Sequence, residues 1–228
     1  LARGPLYMIV GLVGASVLVP AFAVLRFLVI TPLTWISLRF RAYVQRHLSA
    51  MVIDPAYVRP VPSPVEWRIW RLQELACFVY LLSAGVLIVS GLVHWSWAAQ
   101  IYGLAVFVLT INAVRTLAAH RYRHDEDQPM SLVEQLLDSI NHPGWPGITA
   151  VWAPVGLRFH ALHHLFPGLP YHVLPVAHRR LMAGLPQGSP YHQTVSPSLW
   201  ASLRQLWRDS QEASRQKVRQ TSKSAQAQ

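Results

Sequence analysis

The chain has 228 residues, of which 52% are apolar and only 13% are charged. An ordinary soluble domain carries about 25% charged residues, so the composition argues against a soluble globular protein. The single cysteine, Cys77, excludes a disulfide scaffold and any metal site built from several cysteines. The net charge of +10 is carried almost entirely by arginine, which in an apolar chain indicates loops beside anionic lipid, and no nucleic-acid partner is expected.

The first apolar segment, residues 1–38, contains Arg26 and Pro32, and its topology stays open at this stage. Residues 6–25 are long enough for one crossing, because about 20 apolar residues of helix span a bilayer core. A tight hairpin, or a segment lying partly in the membrane interface, fits the same residues equally well. We therefore expect one or two apolar membrane segments in this part of the chain.

A longer uncharged stretch follows an Arg- and Pro-rich connector, residues 39–74, that is expected to be cytoplasmic. Residues 75–114 contain no Asp, Glu, Lys or Arg, and this predicts a transmembrane hairpin with helices over 76–93 and 97–114. Two tryptophans beside His94 mark the turn between the helices. Arginines flank both ends of the hairpin, so both ends are expected in the cytoplasm.

The remainder of the chain predicts a cytoplasmic cap. Residues 115–185 hold most of the histidines, and Ser131 with Glu134 has the form of a capping box that opens a short amphipathic helix. Residues 186–228 predict an amphipathic helix behind Ser198, followed by a polar tail that frays from Asp209 onward. The predicted fold is all-α: a multi-pass helical membrane protein with a cytoplasmic histidine-rich helical cap.

The histidines are concentrated after the hairpin. His160, His163 and His164 share one face of a helix, so three imidazoles converge on a small volume. They would repel one another if protonated, and their nitrogens would lack partners if buried, so a metal ion is the expected partner. His120 and His124 are one helical turn apart and are candidate ligands as well. Imidazole suits iron, copper, nickel and zinc, so the ligand type does not select the metal.

Two acidic residues near the cluster, Glu134 and Asp138, lie four apart on the predicted helix. We expect them to orient the N–H groups of metal ligands rather than to bind the metal, although a solvated helix face is the alternative. His142 and His172 are further candidates for this outer layer. The sequence contains no His-Glu-x-x-His, Gly-x-Ser-x-Gly or phosphate-binding glycine motif, so hydrolase and kinase chemistry have no support.

The segment His160-Ala161-Leu162-His163-His164-Leu165-Phe166-Pro167, placed after an apolar hairpin, resembles the last histidine box of the membrane fatty acid desaturase family. The resemblance implies a non-haem site of two iron ions, with O2 as co-substrate and a lipid acyl chain as the source of abstracted hydrogen. It also implies an electron donor such as a ferredoxin or a cytochrome b5-type protein. Within this resemblance the implied ligands are His120, His124, His160, His163 and His164.

The family carries two earlier histidine boxes, and none precedes His120 here. Because the chain begins with Leu1 rather than Met, we expect those boxes to lie upstream and this chain alone to be inactive. A lipid hydroxylase or a carotenoid ketolase of the same superfamily is an alternative, because hydrogen abstraction can end in a double bond or a hydroxyl group. A catalytically inactive membrane scaffold is another alternative, whereas a metal transporter would need ionisable residues inside its spans.

Overall fold

The computed structural model describes residues 5–48, 57–122 and 130–226, and no β-strand occurs among them. The first helices are α1 (Pro5–Leu25), a π-helical turn (Arg26–Ile30), α2 (Thr31–Ile36), α3 (Leu38–His47), α4 (Pro64–Val89) and α5 (Ser96–Ala118). They are followed by α6 (Leu132–Asp138), α7 (Pro146–Trp152), α8 (His160–Leu165), α9 (Leu174–Gly184), a 3₁₀ helix (Pro190–Thr194) and α10 (Leu199–Gln226).

The chain forms two compact units. Val13–Leu109 is called the span unit here, and Thr110–Gln228 together with Leu1–Leu12 is called the histidine unit. Three helical segments are long and apolar enough to cross a membrane: Met8–Ile36, Pro64–Val89 and Ser96–Ala118. Only 6% of the most apolar stretch of each segment is buried inside the protein. The apolar side chains of these segments therefore point outward, as is typical of side chains that face lipid. The prediction of an all-α protein with several membrane-spanning helices is confirmed.

The first apolar segment is one continuous helical run from Pro5 to Ile36. A tight hairpin in this segment is therefore wrong, because the backbone does not reverse. The helix changes register once, where the Thr31 N–H donates to the Arg26 carbonyl five residues earlier. Pro32 follows immediately and has no N–H to donate, so the regular hydrogen-bond ladder cannot run unbroken through this point.

Helix α4 begins at Pro64, well before Leu75, where the uncharged stretch starts. The early start comes from a capping box: the Glu66 N–H donates to Ser63 Oγ at 3.3 Å, and the Ser63 N–H donates to Glu66 Oε2 at 2.7 Å. Pro64 at the first helical position also favours a helix start here. The backbone N–H of that position has no partner within a helix, and proline has no N–H. The last part of the expected connector, from Pro64 onward, thus belongs to the helix. His94 lies in the turn before α5, as predicted.

Glu74 joins three parts of the span unit. Its carboxylate accepts hydrogen bonds from Arg26 Nη2 at 2.6 Å and from Arg41 Nη2 at 2.9 Å. Glu74 is 7% exposed and Arg41 is 4% exposed, so both charges are largely removed from solvent. A charge inside a membrane span is costly unless it is paired, and this triplet supplies the partner for each group. It links α4 to the π-helical turn and to α3.

The histidine unit has a small hydrophobic core. Its buried members are Leu136, Phe159, Ala161, Leu162, Leu174 and Tyr191. Helix α6 begins with the capping box predicted from Ser131 and Glu134. Helix α10 continues to Gln226, so it includes the polar residues after Asp209, whose fraying stays a prediction. The residues after Asp209 include many Gln, Ala, Arg and Lys, all of which favour helix, and this outweighs their lack of apolar character.

Replacing Glu74 by glutamine is expected to destabilise the protein by about 3–5 kcal/mol, because the buried Arg41 and the partly buried Arg26 guanidinium groups lose their carboxylate. Thermal unfolding of the detergent-solubilised protein measures this as a lowered midpoint. Glu212→Gln, the same change at an exposed position of α10, should leave the midpoint nearly unchanged. Equal midpoints for the two variants would contradict the structural role of Glu74.

Candidate metal centre

Three histidines converge in the histidine unit. His120 Nε2 lies 2.9 Å from His160 Nε2, which lies 3.1 Å from His164 Nε2. All three nitrogen ligands lie within 4.8 Å of one another, and each side chain is half-buried. No other group of three such ligands is found in residues 5–48, 57–122 and 130–226. Three of the predicted ligands therefore meet at one point.

Backbone pairing holds His120 in this cluster. Directly after α5, the Arg121 N–H donates to the Asp138 carbonyl at 2.8 Å, and the Ile140 N–H donates to the Ala119 carbonyl at 2.8 Å. This short antiparallel pairing brings the Asp138 carboxylate beside the His120 ring. His120 Nδ1 donates to Asp138 Oδ2 at 2.9 Å, because the carboxylate can only accept. The proton is thus held on Nδ1, and the lone pair of Nε2 faces the other two histidines.

Helix α8 positions the other two members. His160 and His164 are one turn apart and lie on the same face. Ala161 and Leu162 are fully buried in the hydrophobic core, and their packing fixes the rotation of this short helix. His163 is exposed, and its ring centroid lies 6.2 Å from that of His164, so the structure does not bring it into the cluster.

The electrostatics of the cluster favour neutral imidazoles. Burial, followed by repulsion from His120 and His164, lowers the pKa of His160 to about 3. Burial, followed by repulsion from His120 and His163, also lowers the pKa of His164. His160 Nε2 faces two other ring nitrogens, and a single proton on it can satisfy only one of them. A metal ion could accept all three lone pairs, and an all-imidazole donor set suits a first-row transition metal such as iron. The residues present fit such an ion.

The acidic residues divide in their roles. Asp138 accepts from His120 Nδ1, the contact that its predicted role beside a metal ligand requires, and that role stays a prediction. Glu134 caps α6, since its Oε2 accepts from the Ser131 N–H at 2.7 Å. Its role beside a metal ligand stays a prediction, whereas its part in the capping box explains why the sequence has an acid there.

The remaining predicted histidines lie in different surroundings. His142 is buried, and its Nε2 forms a 2.8 Å hydrogen bond with Ser202 Oγ. Burial lowers the pKa of His142 to about 4, so it is neutral at pH 7. His172 is exposed, with its ring edge-on to Tyr171. His124 lies outside the described residues, and its assignment stays a prediction.

Asn141 organises the site and was not singled out from the sequence. It is fully buried, and its Oδ1 accepts from the Leu162 N–H at 3.1 Å, in the first turn of α8. Its Nδ2 donates to Thr194 Oγ1 at 2.9 Å, and its backbone N–H donates to the Thr194 carbonyl at 2.7 Å. Phe159, which precedes α8, supplies no side-chain cap, so the distant Asn141 amide does so. In the sequence, Asn141 lies between an amphipathic helix and a proline. This pattern is also typical of an ordinary helix end, so it does not by itself indicate the role of the Asn141 side chain.

The fold and the site together define a helical membrane protein with an imidazole-rich site suited to a transition metal. Residues 20–195 match the family model for fatty acid desaturase, which covers more than half of the chain. The chain therefore belongs to the fatty acid desaturase family, as the histidine box predicts. The matched residues include all three members of the cluster.

A ceramide hydroxylase of Caulobacter vibrioides (strain NA1000 / CB15N) is 40% identical to this chain over 201 residues. The alignment covers 87% of this chain and 56% of the relative, so the chain spans about half the length of the curated relative that it matches. No solved structure matches the chain.

Asp138→Asn is expected to weaken iron binding about 10–100-fold, because an amide no longer fixes the proton on His120 Nδ1 as a carboxylate does. The affinity is measured by titrating iron(II) into metal-free protein expressed from its complete gene. Asp138→Glu keeps a carboxylate acceptor and should recover part of the affinity. The unfolding midpoint of the metal-free protein should change little. An unchanged iron affinity in Asp138→Asn would contradict the positioning role.

Asn141→Ala is expected to destabilise the histidine unit by about 1–3 kcal/mol for each buried partner left without its hydrogen bond. The partners are the Leu162 N–H and Thr194 Oγ1. Chemical denaturation followed by circular dichroism measures the loss, and hydrogen exchange should show faster opening at Leu162. Gln211→Ala, at an exposed position of α10, is the matched control. A loss no larger than the control's would show that the amide does not hold α8 in place.

Proposed function

We propose that this chain belongs to a membrane lipid hydroxylase that uses a histidine-ligated non-haem di-iron centre and O2. The observation that carries the proposal is the cluster of His120, His160 and His164 within the part of the chain that matches the fatty acid desaturase family. The name of the relative, a ceramide hydroxylase, favours hydroxylation over desaturation and favours a ceramide or similar lipid as substrate.

The chain's own residues have distinct roles in this proposal. His120, His160 and His164 present their nitrogens as ligands, and Asp138 holds the proton on the far side of the His120 ring. His163 and His124 are further ligands on the strength of the family resemblance. An iron pair bound by such ligands supplies O2 activation and abstraction of hydrogen from an unactivated C–H bond. Because α8 packs against the core, its two histidines are held in one arrangement before a metal binds.

The overall reaction defines the partners. Inserting one oxygen atom of O2 into a C–H bond and releasing the other as water consumes two electrons and two protons. A ferredoxin or a cytochrome b5-type protein is the proposed source of the electrons. We place the histidine cluster on the cytoplasmic face, where such donors are found, and the excess of arginine next to the spans supports that orientation.

Lipid analysis of cells expressing the protein from its complete gene tests the proposal. With O2 and a ferredoxin system, the expected product is a ceramide or related lipid with one added oxygen atom, detected by mass spectrometry. His160→Ala should lose both the product and the bound iron, because His160 Nε2 lies between the other two nitrogens. His192→Ala should retain both, since the His192 ring bonds only weakly to the Leu185 carbonyl at 3.3 Å.

Three results would change the assignment. A product that lacks two hydrogen atoms, with no added oxygen, would identify a desaturase. An iron content in His160→Ala equal to that of the wild type would show that the histidine cluster is not the metal site. Iron bound without any lipid product, under conditions in which the donor is shown to be active, would favour the scaffold alternative.

A further inference from the structure

A cleft of about 550 Å³ lies in the span unit, and none of its described lining residues is used in the proposed chemistry. Its lining residues are Trp35, Arg41, Arg68, Arg71, Leu72 and Leu75. Half of them carry a guanidinium group and the other half are apolar, and none of these described lining residues is acidic. The cleft therefore combines a cationic wall with an apolar wall.

The cleft lies at the ends of two spans. Trp35 is at the end of the span Met8–Ile36, and Arg68 and Arg71 are in the first turns of the span Pro64–Val89. Trp67 and Trp70 are in the same turns, and tryptophan is enriched at the level of lipid headgroups. Arginine near a helix end extends its charged group to the same level. The cationic wall is thus placed at headgroup depth.

The positive charge of the cleft is only partly neutralised. Arg41 is paired with Glu74, which it shares with Arg26, and its guanidinium lies 5.1 Å from the Trp67 ring centroid. In the part of the chain that the structure describes, neither Arg68 nor Arg71 forms an ion pair. Among the same residues, the buried Arg41 Nε–H has no hydrogen-bond partner. Buried donors nearly always have an acceptor, so these groups favour a bound anion.

We propose that the cleft binds an anionic membrane lipid, with its headgroup phosphate held by Arg41, Arg68 and Arg71. Arginine suits this ligand because its planar group forms paired hydrogen bonds with phosphate oxygens. The start of the lipid's acyl chain lies against Trp35, Leu72 and Leu75. A free phosphate ion would gain nothing from that apolar wall, and this is why a lipid is the assigned source of the phosphate. The site needs no metal and goes beyond the proposed function.

Native mass spectrometry of the protein expressed from its complete gene, in a neutral detergent, tests the proposal by titration with phosphatidylglycerol. One saturable lipid per chain is expected, with phosphatidylcholine binding much more weakly. Arg68→Gln/Arg71→Gln should weaken phosphatidylglycerol binding roughly 30-fold, on the usual contribution of two basic residues beside anionic lipid. Arg204→Gln/Arg208→Gln makes the same change in net charge at exposed positions of α10 and should leave binding unchanged.

A second variant guards against a folding defect. Arg68→Lys/Arg71→Lys keeps both charges and should bind phosphatidylglycerol within a few-fold of the wild type. An equally large loss in the lysine and glutamine pairs would overturn the electrostatic assignment. Equal binding by the glutamine pair and the α10 control would overturn the location, and binding without saturation would show only general adsorption. Complete displacement by excess inorganic phosphate would identify a free-anion site in place of a lipid site.

Discussion

The buried amide of Asn141 is the interaction on which the histidine site depends. A side-chain amide has both donor and acceptor groups, so it can satisfy Thr194 Oγ1 and the Leu162 N–H at the same time. Helix α8 has only six residues, and a helix of that length is not stable in isolation. Its place is set by the amide at one end and by the burial of Ala161 and Leu162 on one face. The two histidines on the other face are oriented as a consequence.

One rule applies in both units of this protein: a polar group that is removed from water needs a hydrogen-bonding or charged partner. In the span unit, Glu74 lies where water is scarce and is satisfied by two guanidinium groups. In the histidine unit, His120 is satisfied on one side by Asp138, while its other nitrogen faces two imidazoles. The first arrangement gives the Glu74 carboxylate a partner for each oxygen, whereas the second leaves ring nitrogens directed at one another. Incomplete satisfaction of half-buried groups is what distinguishes a binding site from a structural network.

The sequence predicted the features that depend on local pattern. An uncharged stretch of sufficient length identified the two spans of the hairpin, and Ser131 with Glu134 identified the start of α6. The same capping pattern, applied at Ser63, would have predicted the start of α4 correctly. The prediction was based instead on the absence of charged residues after Leu75. The topology of the first segment could not be decided, because proline in an apolar run is compatible with both a kink and a reversal.

The site shows a different limit of sequence analysis. His160, His163 and His164 were predicted together because they share one helical face, and the structure brings His160 and His164 into the cluster while His163 is exposed, so its role as a ligand stays a prediction. Relative to His160, His163 is rotated by about 60° around the helix axis and His164 by about 40° in the opposite sense, since each residue advances by about 100°. Which of the two positions faces His120 depends on the tertiary packing. Asn141 and the pairing of His120 with Asp138 likewise depend on contacts between distant segments.

The cleft in the span unit shows how a membrane protein can use positive charge that is not neutralised within its fold. Arg41 is needed to neutralise Glu74, but one carboxylate shared by two arginines leaves the neighbourhood positive. Arg68 and Arg71 increase that excess at headgroup depth, where lipid phosphates are the most abundant anions. Repulsion among these arginines would oppose the packing of α3 against α4 if no anion were present. A lipid phosphate in the cleft would therefore stabilise the fold as well as occupy a site, and the basic composition of the chain would contribute to structure and to lipid recognition together.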